Sequence, residues 1–140
     1  MLNAARRAVA CKNWRWMCSM RVLVDGSLDS PGTINWASPD GIGYSQYYYT
    51  TERDLPDLSD PATLGCLLAL VRQTWNDPYF HVVPGTLIQN SSQRAWEFYG
   101  TLQGKSVKGA MCLSEADALV SALELSQEHF SSSAANLSSI

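Results

Sequence analysis

The sequence predicts an α+β fold, a two-layer sandwich in which two helices cover a mainly antiparallel sheet in the order βββαβββα. Hydrophobic residues make up 46% of the 140 residues, which is enough for a packed core. Short β-favouring runs separated by turn residues occur in two stretches, and each stretch ends in a segment with helical periodicity. We therefore expect a single folded domain over residues 15–130.

Three strands are predicted in the first half of the chain. Residues 20–25 form a β-favouring run, and residues 33–37 alternate apolar and polar side chains. Residues 44–51 are rich in tyrosine and threonine, which favour strands, and they follow a Pro-Asp-Gly turn at 39–41. Short turns between the three runs are typical of an antiparallel meander.

The first helix has the clearest pattern in the chain. Asp60 is a favourable N-cap, and Pro61 fits the first helical position, where no backbone donor is needed. The helix should end before Pro78, since the residue preceding a proline is displaced from the α region. Apolar residues recur on one helical face at Leu64, Leu67, Leu68, Val71 and Trp75.

The second half repeats the outline. Residues 80–83, 94–99 and 106–112 are candidate strands with turn residues between them. A capping box then opens at Ser114 and predicts a second helix. Its buried face carries Ala116, Leu119, Val120 and Leu123.

Both ends of the chain are predicted to lie outside the fold. Residues 1–14 are basic and lack clear periodicity, so we expect a disordered extension. Residues 131–140 are rich in serine and predict a disordered tail. Five of the ten basic residues precede the first acid, Asp25, whereas the chain from residue 22 onward has 5 basic and 13 acidic residues. The net charge of −3 thus averages a basic start with an acidic body.

The cysteines favour a cytoplasmic protein. Cys11, Cys18, Cys66 and Cys112 lack the paired spacing of a zinc site, and Cys66 lies in an apolar run typical of a buried thiol. We therefore expect neither a metal nor a disulfide framework. No apolar run reaches the roughly 18 residues of a membrane span, so we expect no membrane association.

Catalytic motifs are incomplete. Gly100–Ser106 is one residue short of a phosphate-binding loop, and the residues after it are poor helix formers, so a hairpin turn is the simpler interpretation. The two histidines, His81 and His129, have no identifiable acidic partner, and no serine elbow occurs. We expect no catalytic residue and no cofactor. A small hydrolase or nucleotide-binding protein that uses Gly100–Ser106 with His81 stays open as an alternative.

Three aspartates and four tyrosines are the other candidate site residues. Asp54, Asp57 and Asp60 are spaced three apart; on a helix they could bind a divalent cation, but Pro56 favours an acidic loop. The candidate protein-binding residues are Tyr44, Tyr47, Tyr48 and Tyr49, which project to both faces of a strand. Sheet packing and stacking on nucleic-acid bases are the alternatives for these tyrosines.

Residues 55–72, followed by Trp75 and Asp77-Pro78, resemble a signature of small uncharacterised proteins encoded by bacteriophages and prophages of proteobacteria. Residues 14–23 and 114–124 fit the same resemblance. It implies a phage or prophage origin and brings no known activity. The sequence therefore predicts a non-enzymatic accessory protein that binds a host or phage protein. A homodimer and nucleic-acid contact through the basic N-terminal arm are the other partner hypotheses.

Overall fold

Three helices and nine strands form the part of the chain that the computed structural model describes. The described residues are 2–27, 29, 31–33, 36–38, 41–45, 48–49, 51–89 and 92–138, with side chains described for all of these except 36–49 and 129–138. The α+β class is thereby confirmed. In chain order the elements are α1 (Leu2–Ala10), β1 (Arg21–Leu23), β2 (Pro31–Thr33), β3 (Trp36–Ser38), β4 (Gly41–Ser45), β5 (Tyr48–Tyr49), β6 (Leu55–Pro56), α2 (Pro61–Trp75), β7 (His81–Leu87), β8 (Arg94–Leu102), β9 (Lys105–Cys112) and α3 (Glu115–Ser138).

The described strands form three three-stranded sheets in which every pairing is antiparallel. Their orders are β2-β1-β6, β3-β4-β5 and β7-β8-β9. The last sheet matches the three strands predicted for the second half. The first half contains more and shorter strands than the expected meander, and β1 is flanked by β2 and by the distant β6.

Helix α2 begins and ends as its sequence predicts. The Asp60 carboxylate accepts a hydrogen bond from the backbone N–H of Thr63 at 3.0 Å, and Pro61 is the first helical residue. Asn76 ends the helix in the left-handed conformation, with φ of 53°. The buried Trp75 indole donates a hydrogen bond to the carbonyl oxygen of Ala122 at 2.9 Å, which joins α2 to α3.

The inner face of the β7-β8-β9 sheet packs against α2 and α3. Trp75 and Phe80 have ring centroids 4.9 Å apart, and Phe80 lies 5.8 Å from Phe98. Gly109 lies opposite Phe98 in the next strand, and a Cβ there would come within 2.0 Å of the Phe98 ring. Glycine at 109 therefore makes room for the central aromatic of the core.

The first 14 residues require a correction, because they are not a disordered extension. Residues 2–10 form α1, whose Ala5 and Ala8 are 1% and 0% exposed against the main core. The Arg7 guanidinium donates hydrogen bonds to Asp117 at 2.6 Å and to Glu124, both on α3. The small side chains of Ala5 and Ala8 allow α1 to approach the core closely. The carboxylates that bind Arg7 lie more than 100 residues further along the chain.

The serine-rich end also differs from the expected disordered tail. Helix α3 opens at the predicted capping box, where the Ser114 hydroxyl accepts a hydrogen bond from the Asp117 backbone N–H at 3.0 Å. The helical backbone then continues to Ser138, and residues 139–140 lie outside the described part. Propagating an existing helix costs far less than starting one, so helical backbone extends into the serine-rich stretch.

Candidate functional surface on the C-terminal sheet

The strand alternation of the β7-β8-β9 sheet separates a packed inner face from an outer face. Directly opposite residues of antiparallel strands project to the same side, and Phe98 belongs to the inner side. The adjacent residue Tyr99 therefore projects outward, together with its cross-strand partners His81 and Lys108. We call this surface the outer face; its residues are His81, Val83, Glu97, Tyr99, Thr101, Ser106 and Lys108.

Tyr99 lies at the centre of the outer face and is held by contacts on several sides. The His81 imidazole stacks on its ring with centroids 5.4 Å apart and planes 17° apart. The Lys108 ammonium lies 5.6 Å from the ring centroid, within the range of a cation–π contact. The Tyr99 hydroxyl donates a 2.6 Å hydrogen bond to Glu97. The ring is thus a half-buried aromatic with a fixed orientation, flanked by the exposed His81 and Lys108.

A shallow cleft of about 310 Å³ lies beside this row. Tyr79 stands at its rim with 85% of its surface exposed. The cleft is open to solvent, so it can receive a side chain that protrudes from a partner. Its lining residues are Asp77, Tyr79, His81, Tyr99, Gly100, Thr101, Ser106 and Val107.

Asp77 organises the base of the cleft. Its carboxylate accepts hydrogen bonds from the backbone N–H groups of Thr101 at 2.8 Å and Tyr79 at 2.9 Å. These two bonds lower the pKa of Asp77, because they stabilise the charged carboxylate. The carboxylate therefore serves as a connection between the turn after α2 and strand β8.

His81 and the glycine turn, the two parts of the enzyme alternative, do come together here. His81, Gly100 and Ser106 line the same cleft. The turn itself is a hairpin, as its composition favoured: Gln103 and Gly104 have φ of 52° and 79°, typical of a two-residue type I′ loop. Strand β9 follows the turn, whereas a phosphate-binding loop leads into a helix. The His81 Nδ1 lies 3.0 Å from the Tyr79 carbonyl oxygen, so the backbone orients the ring.

The three spaced aspartates are used by the fold. The Asp54 carboxylate accepts hydrogen bonds from two backbone N–H groups at 2.8 and 2.9 Å. Asp57 binds the backbone and hydroxyl of Ser59 and pairs with Arg21 at 3.3 Å, and Asp60 caps α2. Within the described residues, no group of three or more potential metal ligands occurs. Their arrangement is that of an acidic loop.

The tyrosine cluster is only partly described. Tyr44 lies in β4, and Tyr48 and Tyr49 form β5, where they pair with Ser45 and Gly43. Tyr47 and the side chains of all four tyrosines lie outside the described part of the structure. Protein binding by this cluster stays a prediction.

The C-terminal sheet differs in charge from the rest of the body. Residues 79–113 contain three basic residues and one acidic residue, whereas 22–78 and 114–140 together contain two basic and twelve acidic residues. The charged residues of the sheet are the exposed Arg94, Lys105 and Lys108 and the half-buried Glu97. The segment that forms the sheet thus has a positive balance within an acidic body, and the outer face itself carries Lys108 and Glu97.

The basic N-terminal arm is partly neutralised within the molecule. Arg7 pairs with Asp117 and Glu124, and Arg21 pairs with Asp57. The remaining basic residues of the arm, all exposed, are Arg6, Lys12 and Arg15. Part of the basic charge at the start of the chain is therefore paired with acidic residues of α3 inside the molecule.

Comparisons with known protein families, curated proteins and solved structures gave no match. The resemblance to phage proteins therefore stays a prediction. Among the helices of the described residues, none combines the length and apolar character needed to cross a membrane.

Proposed function

We propose that this is a non-enzymatic accessory protein of a bacteriophage or prophage that acts in the bacterial cytoplasm by binding an acidic surface of a host or phage protein. The outer face is the contact surface. The observation that carries the proposal is the ordered row of His81, Tyr99 and Lys108 on the exposed side of the β7-β8-β9 sheet.

The row has the composition and rigidity of an interface anchor. Tyrosine supplies a large contact area at low entropic cost, and aromatic residues dominate the binding energy of many protein interfaces. Stacking on His81 and the hydrogen bond to Glu97 fix the Tyr99 ring before any partner arrives. Such preorganisation raises affinity because little side-chain freedom remains to be lost on binding.

Charge selects the kind of partner. Lys108 lies beside Tyr99 on the outer face, and the nearby Glu97 carboxylate accepts the hydrogen bond of the Tyr99 hydroxyl, so an acidic group of a partner protein would be attracted to Lys108. Nucleic acid is also acidic, but its long and uniformly charged backbone would also approach the twelve carboxylates of the surrounding body. A compact acidic group on a protein fits a contact with Lys108 better.

The chemistry of the cleft supports contact more than catalysis. The Asp77 carboxylate is held by two backbone N–H groups, and the Tyr99 hydroxyl is bonded to Glu97. The His81 ring is oriented by the Tyr79 carbonyl oxygen and stacks on Tyr99. These hydrogen bonds stabilise the conformation of the outer face.

Site-specific photo-crosslinking tests the proposal. We would place p-benzoylphenylalanine at Tyr79, at the rim of the cleft, and at the exposed Ala62 on α2 as the matched control. Irradiation in phage-infected host cells should give a discrete protein adduct from position 79 alone, and the partner peptide in the adduct should be acidic.

A charge reversal gives the decisive comparison. Lys108→Glu in the Tyr79 crosslinker background should reduce the adduct at least tenfold, which corresponds to roughly 1.4 kcal/mol. Arg53→Glu changes the net charge equally outside the sheet and should leave the adduct intact. Equal adducts from positions 79 and 62, or adducts that nuclease removes, would show that the outer face is not a protein-binding surface.

A further inference from the structure

Two cysteines that are 48 residues apart in sequence meet at the surface. The Cys66 Sγ lies 3.5 Å from the carbonyl oxygen of Cys18. Cys18 is exposed, and Cys66 is half-buried on helix α2. The other two cysteines, Cys11 and Cys112, are buried in the main core. The four thiols therefore divide into an adjacent accessible pair and two enclosed residues.

The segment that carries Cys18 is anchored against the helix that carries Cys66. A hydrogen bond of 3.1 Å from the Met20 N–H to the Met17 carbonyl closes a tight turn around Cys18 and Ser19. Met20 is fully buried, and Cys66 packs against the small cluster to which Met20 belongs. The approach of Cys18 to Cys66 is therefore a consequence of packing and is not a chance arrangement of two surface side chains.

We propose that Cys18 and Cys66 form a reversible intramolecular disulfide when the protein meets hydrogen peroxide. In the first step the Cys18 thiolate attacks one peroxide oxygen, the O–O bond breaks, and Cys18 sulfenic acid and water result. In the second step the Cys66 sulfur attacks the Cys18 sulfur, the S–O bond breaks, and a second water leaves with the Cys66 proton. Two thiols are oxidised and one peroxide is reduced to two waters.

Exposure assigns the two roles. Cys18 is the thiol that a small oxidant reaches first, and Cys66 is the resolving thiol beside it. Burial raises the pKa of Cys11 to about 11 and also raises the pKa of Cys66 and Cys112. Cys11 and Cys112 are in addition enclosed in the core, so access by the oxidant, and not the pKa, distinguishes the surface pair.

The contact bounds the movement that a disulfide would need. Adding the backbone bond lengths to the 3.5 Å contact places the Cys66 sulfur within about 6 Å of the Cys18 Cα. The two Cα atoms are therefore at most about 9 Å apart, and a disulfide brings them to about 4.4–6.8 Å, so the bond needs a rotamer change of Cys18 and a shift of its turn toward α2 of up to a few ångströms. Ser19, the next residue, is exposed and has φ of 81°, an uncommon value for a residue other than glycine. Cys18 and Ser19 are exposed whereas Met20 is buried, so the movement would have to occur within residues 18 and 19.

The bond would tie the turn at 17–20 to α2 and enclose all the strands from β1 to β6. Cross-linking a long segment restricts the unfolded chain and so favours the folded state. Oxidation is therefore expected to make the first half of the fold more resistant to unfolding, and reduction is expected to reverse this.

Trypsin separates the four cysteines, so peptide mapping of the full-length chain tests the proposal directly. Cys11, Cys18, Cys66 and Cys112 fall in the separate tryptic peptides 8–12, 16–21, 54–72 and 109–140. After brief peroxide treatment, the expected product joins peptides 16–21 and 54–72 with the loss of two hydrogens. Dithiothreitol should restore both peptides. Methionine oxidation is distinguished because it adds oxygen to peptide 16–21 without joining it to another.

A stability measurement with variants completes the test. Peroxide should raise the urea midpoint of the unmodified chain and of Cys112→Ala, and it should leave Cys18→Ser and Cys66→Ser unchanged. If peroxide gives sulfinic acid at Cys18, or dimers linked through Cys18, while peptide 54–72 still alkylates fully, the two residues are not a disulfide pair and the proposal is wrong. The peptide map needs no variant, so this outcome can be read even if a substitution unfolds the protein.

Discussion

Replacement of Arg7 by methionine tests whether α1 is an integral part of the fold. The Arg7 guanidinium donates hydrogen bonds to Asp117 at 2.6 Å, to Ser121 at 3.1 Å and to Glu124. Methionine keeps a long aliphatic side chain and a similar helix propensity, so Arg7→Met removes mainly these polar contacts. Arg6 is exposed on the same helix, and Arg6→Met is the matched control.

The solvent exposure of the paired side chains sets the expected loss of stability in Arg7→Met. The side chains of Arg7 and Asp117 are 32% and 23% exposed, so their charge-assisted bond should contribute near the lower end of the range for such bonds, about 1.5 kcal/mol. Glu124 is 38% exposed, and solvent screening reduces its pair to about 0.5 kcal/mol. Arg7→Met should therefore lower the free energy of unfolding by about 2 kcal/mol, whereas Arg6→Met should change it by less than about 0.5 kcal/mol.

Urea titration followed by tryptophan fluorescence measures both variants, since the chain has five tryptophans. The difference between the wild type and Arg7→Met should shrink at high salt, because partly exposed ion pairs are screened. Asp117→Asn combined with Arg7→Met should lose less than the sum of the two single losses. If Arg6→Met and Arg7→Met cost the same, the ion pairs do not hold α1 on α3 and the reasoning fails.

Two further predictions concern glycine positions and acid stability. Gly109→Ala should lower the free energy of unfolding by about 1–3 kcal/mol, because the new Cβ would come 2.0 Å from the Phe98 ring. Gly65→Ala should raise it by about 0.5–1 kcal/mol, because no atom lies within 4 Å of the position of a Cβ at residue 65 and alanine favours the helix. The reverse order in urea titrations would contradict the packing described here. Because the pKa of Asp77 is lowered in the folded state, its contribution is present above the unfolded value of about 3.9 and is lost as pH falls through the lower folded value. Asp77→Asn should therefore be less stable at pH 7, with a difference that shrinks in an acid titration; a constant difference across that titration would refute the assignment.

The elements that the sequence predicts correctly are those with local causes. Asp60, Pro61 and Asn76 delimit α2 within its own segment. The Gln103-Gly104 loop fixes the register between β8 and β9, because a two-residue loop leaves one way to pair the strands. Helix α1 is not predicted, because the residues that hold it in place lie on α3 and the local sequence pattern carries no information about them.

The candidate surface shows the same limit. The outward alternation of Glu97 and Tyr99 is visible in the sequence, but which side of the sheet the helices cover is decided by long-range packing. The row of His81, Tyr99 and Lys108 exists only through the pairing of three strands. The sequence instead draws attention to the tyrosines at 44–49, because a high local density of aromatic residues is visible without knowledge of any strand pairing.

The contact between α1 and α3 also determines when the protein can finish folding in the cell. Arg7 leaves the ribosome early, but Asp117 follows 110 residues later. At synthesis rates of about 5–20 residues per second, roughly 5 to 20 seconds separate the two. During that interval β6 is present but α3, which also packs on α1, is not. A chain that stops before α3 would therefore keep part of this helix exposed to chaperones and proteases.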